Sequence, residues 1–195
     1  MAKHQIKHRR NESVLFECDV PDDMAGGLRT RHALKKAMAA DASLTGADLT
    51  GAYLAGANLT GANLIGACLA GADLTDASLA GANLTDASLT GADLAGANLA
   101  GAYLAGAKWR NGIVINKPPI QLFGLHWRVT ILDSHMQIGC ELHALADWAA
   151  YDDKRIAEMA GREALRFWRA HKDVLLSLAA SAGRDLAAVP DPSAS

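Results

Sequence analysis

The stretch ADLTGAYLAGANLTGANLIG, residues 47–66, decides the fold, because it contains one five-residue pattern four times. The pattern holds over residues 41–110: Leu recurs at every fifth position from 44 to 104, and Trp109 takes the next such position. Ala stands two residues before each of them. A period of five matches neither the 3.6-residue period of an α-helix nor the two-residue period of a strand. Exact short repeats instead predict a stacked solenoid, in which each repeat buries its apolar side chains against its neighbours.

The repeat resembles that of the pentapeptide-repeat family, whose pattern is A(D/N)LXX. Repeats that fit this pattern to the letter include Ala47-Asp48-Leu49, Ala57-Asn58-Leu59, Ala72-Asp73-Leu74, Ala82-Asn83-Leu84 and Ala97-Asn98-Leu99. The resemblance implies a mainly β fold, a right-handed quadrilateral β-helix with four repeats per coil and with Leu and Ala pointing inward. Gly at the fifth position of the repeat permits the positive φ that a tight corner requires. Asp76 and Asp86 replace that Gly.

Composition divides the chain into three parts. Residues 1–40 hold a basic leader, a strand and a capping helix, and residues 41–116 hold the pentapeptide-repeat β-helix. Residues 117–195 form a small α+β C-terminal region, a hairpin plus helices, with a frayed tail from Pro190. Because the ends of a solenoid expose unpaired edges and bare Leu side chains, the flanking parts are expected to cap it.

Local patterns give the expected elements of the flanking parts. The leader, residues 1–10, is predicted to be a flexible arm, residues 14–20 a strand, and residues 28–40 an amphipathic helix with Leu28, Leu34 and Met38 on its apolar side. Basic residues on that helix that we single out for recognition include Arg31 and Lys35.

The C-terminal part predicts a hairpin followed by two helical segments. Residues 125–132 and 136–140 form the hairpin strands, with a turn at 133–135 and with Cys140 buried. Asp152 or Asp153 N-caps a helix, Gly161 interrupts it, and the next helix ends near Ala180. On that helix, Trp168 either packs as a lid on the last coil or mediates a homodimer.

A second, shorter resemblance lies in the C-terminal part. Ile138-Gly139-Cys140-x-x-His143, Trp148 and the segment 164–171 are similar to the C-terminal extension of uncharacterised pentapeptide-repeat proteins of phage and prophage. That extension carries no assigned activity.

Charge and composition narrow the function classes. Residues 1–40 carry eight Lys and Arg against five Asp and Glu, whereas residues 41–107 carry six Asp and no base. No long window is free of polar residues, so no transmembrane helix is expected. The leader lacks the apolar segment of a secretory signal, and three cysteines give no disulfide framework. The sequence therefore predicts a cytoplasmic protein without a membrane partner.

The candidate interaction surface follows from the four-repeat coil. Residues twenty apart then stack, so Tyr53, Asp73 and Asp93 form one column, and their neighbours in other columns are mostly Asn and Ser. Asp and Asn in these columns are expected either to have a structural role, by hydrogen-bonding free backbone groups, or to recognise a partner. The full candidate surface is Tyr53, Asp73, Asp93, Asp76, Asp86, Arg162, Arg166 and Arg169.

The only cluster with catalytic or metal-binding residue types is weak. Cys140 and His143, with His135, Asp133 and Glu141 nearby, supply thiol, imidazole and carboxylate groups. A structural zinc site needs four ligands with a second close pair, which this sequence lacks. No glycine-rich phosphate loop is present, because no tract glycine is followed by Lys-Ser or Lys-Thr. We predict no enzyme, catalytic residue, metal or cofactor.

Three function hypotheses follow. The first is a non-enzymatic protein–protein interaction module, of the phage or prophage effector type, that binds and modulates a host macromolecule. The alternative is a DNA mimic that binds DNA gyrase or another DNA-binding protein, as the resemblance implies for some relatives; the second alternative is an enzyme or zinc site in the C-terminal region. Direct nucleic-acid binding is not expected, because the basic leader has no interleaved aromatic residues.

Overall fold

The computed structural model of the chain describes residues 1–122 and 124–187. The chain divides into two units, Met1–Pro118 and Pro119–Ser195. The tail predicted to fray from Pro190 lies outside the described residues. No helix within the described ranges combines the length and apolarity that crossing a membrane requires.

The first unit begins with an antiparallel hairpin of β1 (Ala2–Lys7) and β2 (Val14–Val20). Ile6 and Val20 are buried at 2% and 0% exposure. The prediction of a flexible arm for the leader is therefore wrong, whereas the predicted bounds of β2 are confirmed. The leader is ordered because its residues alternate in burial like a strand, with the charged side chains outward and Ile6 inward.

Helix α1 (Gly26–Ala39) packs against both strands and buries Ala33, Leu34 and Ala37. Leu28 was predicted on this apolar side, but 48% of it is exposed. At 100° per residue, Leu28 lies about 120° around the helix from Leu34, outside the stripe that faces the hairpin. The prediction for Leu28 is therefore wrong.

The hairpin is joined to the first repeat by backbone hydrogen bonds. The Asp48 N–H donates to the Lys7 carbonyl oxygen at 2.7 Å, and the Arg9 N–H donates to the Gly46 carbonyl oxygen at 2.8 Å. Between them, His8 and Ala47 form an antiparallel bridge. The end of β1 thus satisfies backbone groups that the first repeat would otherwise expose.

In the repeat tract, residues twenty apart pair in parallel. The bridges Asp48–Cys68 and Cys68–Ser88 continue one column, and the other columns show the same spacing. The Cys68 backbone N–H donates to the Ala47 carbonyl oxygen at 2.8 Å, and the Cys68 carbonyl oxygen accepts from the Leu49 N–H at 2.8 Å. The columns predicted from a four-repeat period are confirmed.

Each repeat also makes a tight turn after its Leu. The Ala52 N–H donates to the Leu49 carbonyl at 3.1 Å, and this hydrogen bond recurs along the tract. The residue before that Ala has a positive φ, as at Gly51 (62°), which is the geometry that favours glycine at the third position of a type II turn. The predicted role of glycine at the corner is therefore confirmed.

The Leu and Ala of the repeats form the core of the tract. Leu44 to Leu89 and Leu99 to Leu104 are at most 1% exposed, whereas Leu94 is partly exposed. Burying one Leu side chain contributes roughly 1.5–3 kcal/mol. The tract therefore gains its stability in small, nearly equal increments.

The repeats end at a short antiparallel pair. Strand β3 (Ala107–Lys108) pairs with β4 (Val114–Ile115) across a 3-10 turn at Arg110–Gly112. Trp109 lies between them in the Leu position and is 2% exposed. An indole thus closes the series of buried Leu side chains.

The second unit is built on a four-stranded antiparallel sheet in the order β5-β6-β7-β8. The strands are Ile120–Leu122, Val129–Ile131, His135–Ile138 and Glu141–Ala144. The predicted hairpin corresponds to β6 and β7, although both strands are shorter than predicted and His135 belongs to a strand. Cys140 is exposed in the turn before β8, so the prediction that it is buried on a strand is wrong.

Two helices cover the sheet of this unit. Helix α2 (Leu145–Ala150) follows β8 directly, and α3 (Asp153–Ser181) is kinked at Ala160 and Gly161. The predicted cap and break are confirmed: the Asp152 carboxylate accepts from the Arg155 N–H at 2.8 Å, and Gly161 leaves helical geometry.

The core of the second unit centres on Trp168, which is 3% exposed. Its ring centroid lies 5.1 Å from that of Trp148. Trp168 is therefore buried inside its own unit, against Trp148. Both the predicted homodimer and the predicted lid on the last coil stay predictions.

Candidate interaction surfaces

The column of Tyr53, Asp73 and Asp93 forms as predicted from the twenty-residue spacing. Parallel bridges join Tyr53 to Asp73 and Asp73 to Asp93. Tyr53 is 60% exposed and Asp93 is exposed, while Asp73 in the middle is partly buried. The stack therefore presents one aromatic and two acidic side chains along a single line, which we call the acidic column.

The carboxylates of the acidic column also support the backbone. Asp73 Oδ1 accepts from the Thr75 N–H at 3.0 Å, and Asp93 Oδ1 accepts from the Ala95 N–H at 2.9 Å. Hydrogen bonds from the Thr75 hydroxyl and its N–H lower the pKa of Asp73. Asn83 makes the same bond to Thr85 without a charge. The predicted hydrogen bonding of Asp and Asn to backbone groups is confirmed, and the carboxylate charge is additional to that task.

The aromatic end of the acidic column touches α1. A Cβ atom built on Gly27 would lie 2.5 Å from Tyr53 Cδ2, so the helix backbone approaches the Tyr53 ring closely at this glycine. The orientation of the ring is therefore fixed by the cap as well as by the column.

Asp76 and Asp86 occupy corner positions with φ of 55° and 57° and are exposed. Because the columns recur every twenty residues, these two residues, ten apart, lie half a coil from each other. Asp86 lies directly over Gly106, where a Cβ atom would come 2.1 Å from Asp86 Oδ1. The two corner aspartates therefore do not stack on each other.

Arg162, Arg166 and Arg169 lie exposed on α3 of the second unit. Arg169 Nε donates to Asp153 Oδ2 at 3.1 Å, and this hydrogen bond lowers the pKa of Asp153. The positive charge of Arg169 is therefore balanced locally.

A groove that the sequence analysis missed lies between α1 and the repeats, with a volume of about 610 Å³. Its walls include Arg31, His32 and Lys35 on the helix and the segment 56–59 on the tract. The two basic residues were singled out from the sequence, but the groove itself was not. The sequence feature that could have indicated the groove is Leu28, an apolar residue that lies outside the buried side of α1 and lines the groove.

Of the suggested zinc or catalytic cluster, His143 and Glu141 contact each other, whereas Asp133 contacts a residue outside the cluster. His143 Nε2 lies 3.1 Å from Glu141 Oε2, and the His143 ring packs against Trp148 with centroids 5.3 Å apart. Asp133 accepts from Arg184 at 2.9 Å. Within residues 1–122 and 124–187, no three His, Cys, Asp or Glu side chains meet in an arrangement able to hold a metal ion.

Comparison with known proteins places the tract in a family. The model of the family described as pentapeptide repeats, in eight copies, matches residues 40–76 and 77–111. The repeat tract belongs to the pentapeptide-repeat family. Pentapeptide-repeat proteins are generally non-enzymatic interaction modules, and the family implies a right-handed β-helix. The predicted family is thereby confirmed.

Solved structures of three pentapeptide-repeat proteins are similar to parts of this chain. A protein from the cyanobacterium Cyanothece 51142 is 41% identical over 32% of this chain and 43% of its own, with a TM-score of 0.31. HetL from Nostoc sp. strain PCC 7120, a protein involved in heterocyst differentiation regulation, is 43% identical over 37% of this chain and 38% of its own, with a TM-score of 0.25. A protein from the Arabidopsis thaliana thylakoid lumen is 27% identical over 35% of this chain and 58% of its own, with a TM-score of 0.13.

The chain spans less than half the length of the two cyanobacterial relatives that it matches. No curated protein matches the chain.

Proposed function

We propose that this protein is a non-enzymatic protein–protein interaction module whose repeat tract is a right-handed quadrilateral β-helix. The observation that carries the proposal is the twenty-residue register, which aligns the exposed Tyr53 and Asp93 with the partly buried Asp73 on one line. We also propose the division into a cap (1–40), a repeat tract (41–116) and a C-terminal region (117–195).

The acidic column has the features of a recognition surface. Backbone hydrogen bonds to the neighbouring coils, which we call rungs, hold the backbone of the column in place. Little conformational entropy is therefore lost when a partner binds. Tyr53 offers a large aromatic side chain of the type enriched at interface hot spots. Asp73 and Asp93 favour a partner with a basic surface, because opposite charges steer encounter and fix the register of the complex.

Three arginines on α3 offer a second surface of opposite sign. Arg162, Arg166 and Arg169 are exposed along one helix of the second unit. Arginine forms bidentate hydrogen bonds with carboxylates, so this surface would suit an acidic partner. We propose that it is secondary to the acidic column because Asp153 already neutralises Arg169.

Further proposals concern the identity of the binding partner, the cellular compartment and the oligomeric state. We propose a cytoplasmic effector of the phage or prophage type that modulates a host protein, either alone or as a homodimer. A DNA mimic that binds DNA gyrase or another DNA-binding protein is the alternative. The six Asp of residues 41–107 favour it, although a DNA duplex carries a denser charge, about one per 1.7 Å of axis.

The test is affinity capture with the tagged full chain from a nuclease-treated bacterial lysate at moderate salt. We compare the wild type with the double variant Asp73→Asn and Asp93→Asn, which keeps the Oδ1 acceptors but removes two charges. Asp48→Asn is the control, because it removes one carboxylate charge in a different column. We expect one stoichiometric partner that binds the wild type and the control but is lost with the double variant.

The outcomes separate the proposals. If the double variant retains the partner, and a chain with Arg162→Ala and Arg166→Ala loses it, the partner binds α3 and not the acidic column. A DNA-binding partner that duplex DNA displaces would favour the mimic. A folded wild-type chain that captures no stoichiometric partner would contradict the interaction module.

A further inference from the structure

The kink in α3 shapes the interior of the second unit. Gly161 has φ 73° and ψ −162°, a combination that is essentially limited to glycine, and Ala160 beside it has φ −147°. The two halves of the helix therefore approach the sheet at different angles. Ile156 and Met159 come from the first half, and Phe167 and Trp168 from the second.

These side chains enclose a cavity of about 120 Å³. Its walls are almost entirely apolar and are dominated by aromatic rings: Trp127, Trp148, Phe167 and Trp168, together with Ile138 and Met159. The rings are held by mutual contacts, with centroids 5.3 Å apart for Trp127 and Phe167 and 5.1 Å apart for Trp148 and Trp168. The exposed residues of the lining, Gly139, Cys140 and Ala160, mark the opening to solvent.

We propose that this cavity binds one small apolar ring, of the size and chemistry of a monocyclic aromatic hydrocarbon. A cavity of roughly 150 Å³ with apolar walls is known to stay dry and to bind benzene, so 120 Å³ suits a single ring and is too small to enclose a fused pair. Aromatic walls favour an aromatic ligand, because edge-to-face and offset contacts add to the burial of apolar area. This site is independent of the acidic column and of the proposed interaction function.

The cavity is part of a rigid core and is not a loose surface cleft. Trp148, Phe167 and Trp168 are 3%, 6% and 3% exposed. The Trp148 indole N–H donates to the Met136 carbonyl oxygen at 2.7 Å, which fixes that ring against β7. A ligand would therefore enter a largely preformed site, in which little protein ordering is required.

The tryptophans give a site-specific test. Of the four in the chain, three line the cavity, and Trp109 lies in the repeat tract of the other unit. We titrate toluene into the full chain labelled with 5-fluorotryptophan and follow the four fluorine resonances. We expect saturable shifts of the resonances of Trp127, Trp148 and Trp168 and an unmoved Trp109 resonance. Equal shifts of all four, or none at the solubility limit of toluene, would overturn the proposal.

Variants separate occupation of the cavity from general effects. Ala164→Leu places added volume at the cavity wall and should weaken toluene binding at least tenfold. Ala170→Leu, the same change at an exposed position of α3, should leave it unchanged. If Ala164→Leu does not fold, Met159→Ala supplies the test: the enlarged cavity should bind naphthalene more tightly than the wild-type cavity does. Unchanged toluene affinity in a folded Ala164→Leu, or equal naphthalene affinity in wild type and Met159→Ala, would overturn the proposal.

The ring can come from a free molecule or from a side chain. Titration with N-acetylphenylalanine amide distinguishes these sources. Tighter binding of this compound than of toluene assigns the cavity to an aromatic side chain, and weaker binding assigns it to a free hydrocarbon; either result requires the three cavity resonances to shift.

Discussion

The two units of this protein bury apolar side chains in different ways. In the repeat tract, Leu side chains are buried one per repeat, and each backbone rung bonds to residues about twenty positions away. In the second unit, a few large aromatic side chains from α2 and α3 meet in one core, with Trp127 packed against them. Stability is thus spread over many equal contributions in the tract and concentrated in a few residues in the second unit.

This difference determines which residues of each unit can be substituted without loss of stability. The corner Gly and the inward Leu and Ala of the tract are constrained at every repeat, whereas its outward positions only need to be small or polar. In the second unit, the constraint lies on single residues: Trp168 in the core, which lines a cavity, and Gly161 at the kink of α3.

The strongest test of this comparison is Trp168→Ala. Removing the indole takes away the aromatic partner of Trp148 and should lower the free energy of unfolding of the second unit by about 3–5 kcal/mol. Urea unfolding followed by the helical circular dichroism signal measures the loss. Hydrogen exchange should show the repeats still protected. Loss of protection in the repeats as well would contradict the separate cores.

A single Leu of the tract should have a comparable or smaller effect. Leu79 is 0% exposed in the middle of the tract, and Leu79→Ala should cost about 2–5 kcal/mol. We expect hydrogen exchange to increase in the rungs on either side of it, while α3 stays protected. Ala100→Ser, at an exposed position after a Leu, is the control that should change neither. Exchange raised equally in every rung would argue against stability that is summed repeat by repeat.

The corner glycines test how much the backbone geometry of the tract contributes to its stability. Gly106→Ala introduces a side chain at a φ of 73°, which should cost about 1–3 kcal/mol, and its Cβ atom would displace the exposed Asp86 carboxylate, whose Oδ1 lies 2.1 Å away. Gly101→Ala is the matched control, because its φ is 66° but nothing lies within 4 Å of the added atom. Thermal unfolding should rank the wild type above Gly101→Ala and Gly101→Ala above Gly106→Ala. Equal losses of thermal stability in the two variants would mean that the contact with Asp86 adds nothing to the cost of the Gly106 substitution.

The smallest expected effect is the pH response of the N-terminal cap. Burial, and the positive charge of Arg29, lower the pKa of His4 below its ordinary value of 6.5. The unfolded chain therefore takes up the proton first, so stability should be constant above about pH 7 and should fall as the pH drops through 6.5 towards the lower folded-state pKa. His4→Gln, which retains a polar contact for the Thr30 hydroxyl, should flatten this slope in urea unfolding at several pH values. An unchanged slope would assign the pH response to another group.

Most of the tract was predictable because its information is local. The Leu period predicted the buried residues, and the four repeats per coil that the family resemblance implies predicted the column of Tyr53, Asp73 and Asp93. The corner positions of Asp76 and Asp86 were predictable as well, since they stand where glycine otherwise recurs.

The second unit was predictable only in part, because its elements depend on contacts between distant residues. Strands β5 and β8 are three and four residues long and exist only as partners of β6 and β7, so no periodicity marks them. Trp168 lies on a helix that was predicted, but its partner Trp148 comes from α2, which was not. The cavity follows from these long-range contacts and therefore left no sequence signal.

The central claim is that residues twenty apart stack in the repeat tract, and a disulfide tests it directly. In a chain with Cys18→Ser and Cys140→Ser, the native Cys68 pairs with Ser88 across a parallel bridge. Neighbouring strands lie about 4.8 Å apart, within the range that a disulfide spans. On mild oxidation, Ser88→Cys should form an intramolecular disulfide with Cys68. Ser78→Cys, ten residues from Cys68 and half a coil away, should not. A disulfide formed as readily at 78 as at 88, or at neither position in a folded chain, would contradict the twenty-residue register and the surface built on it.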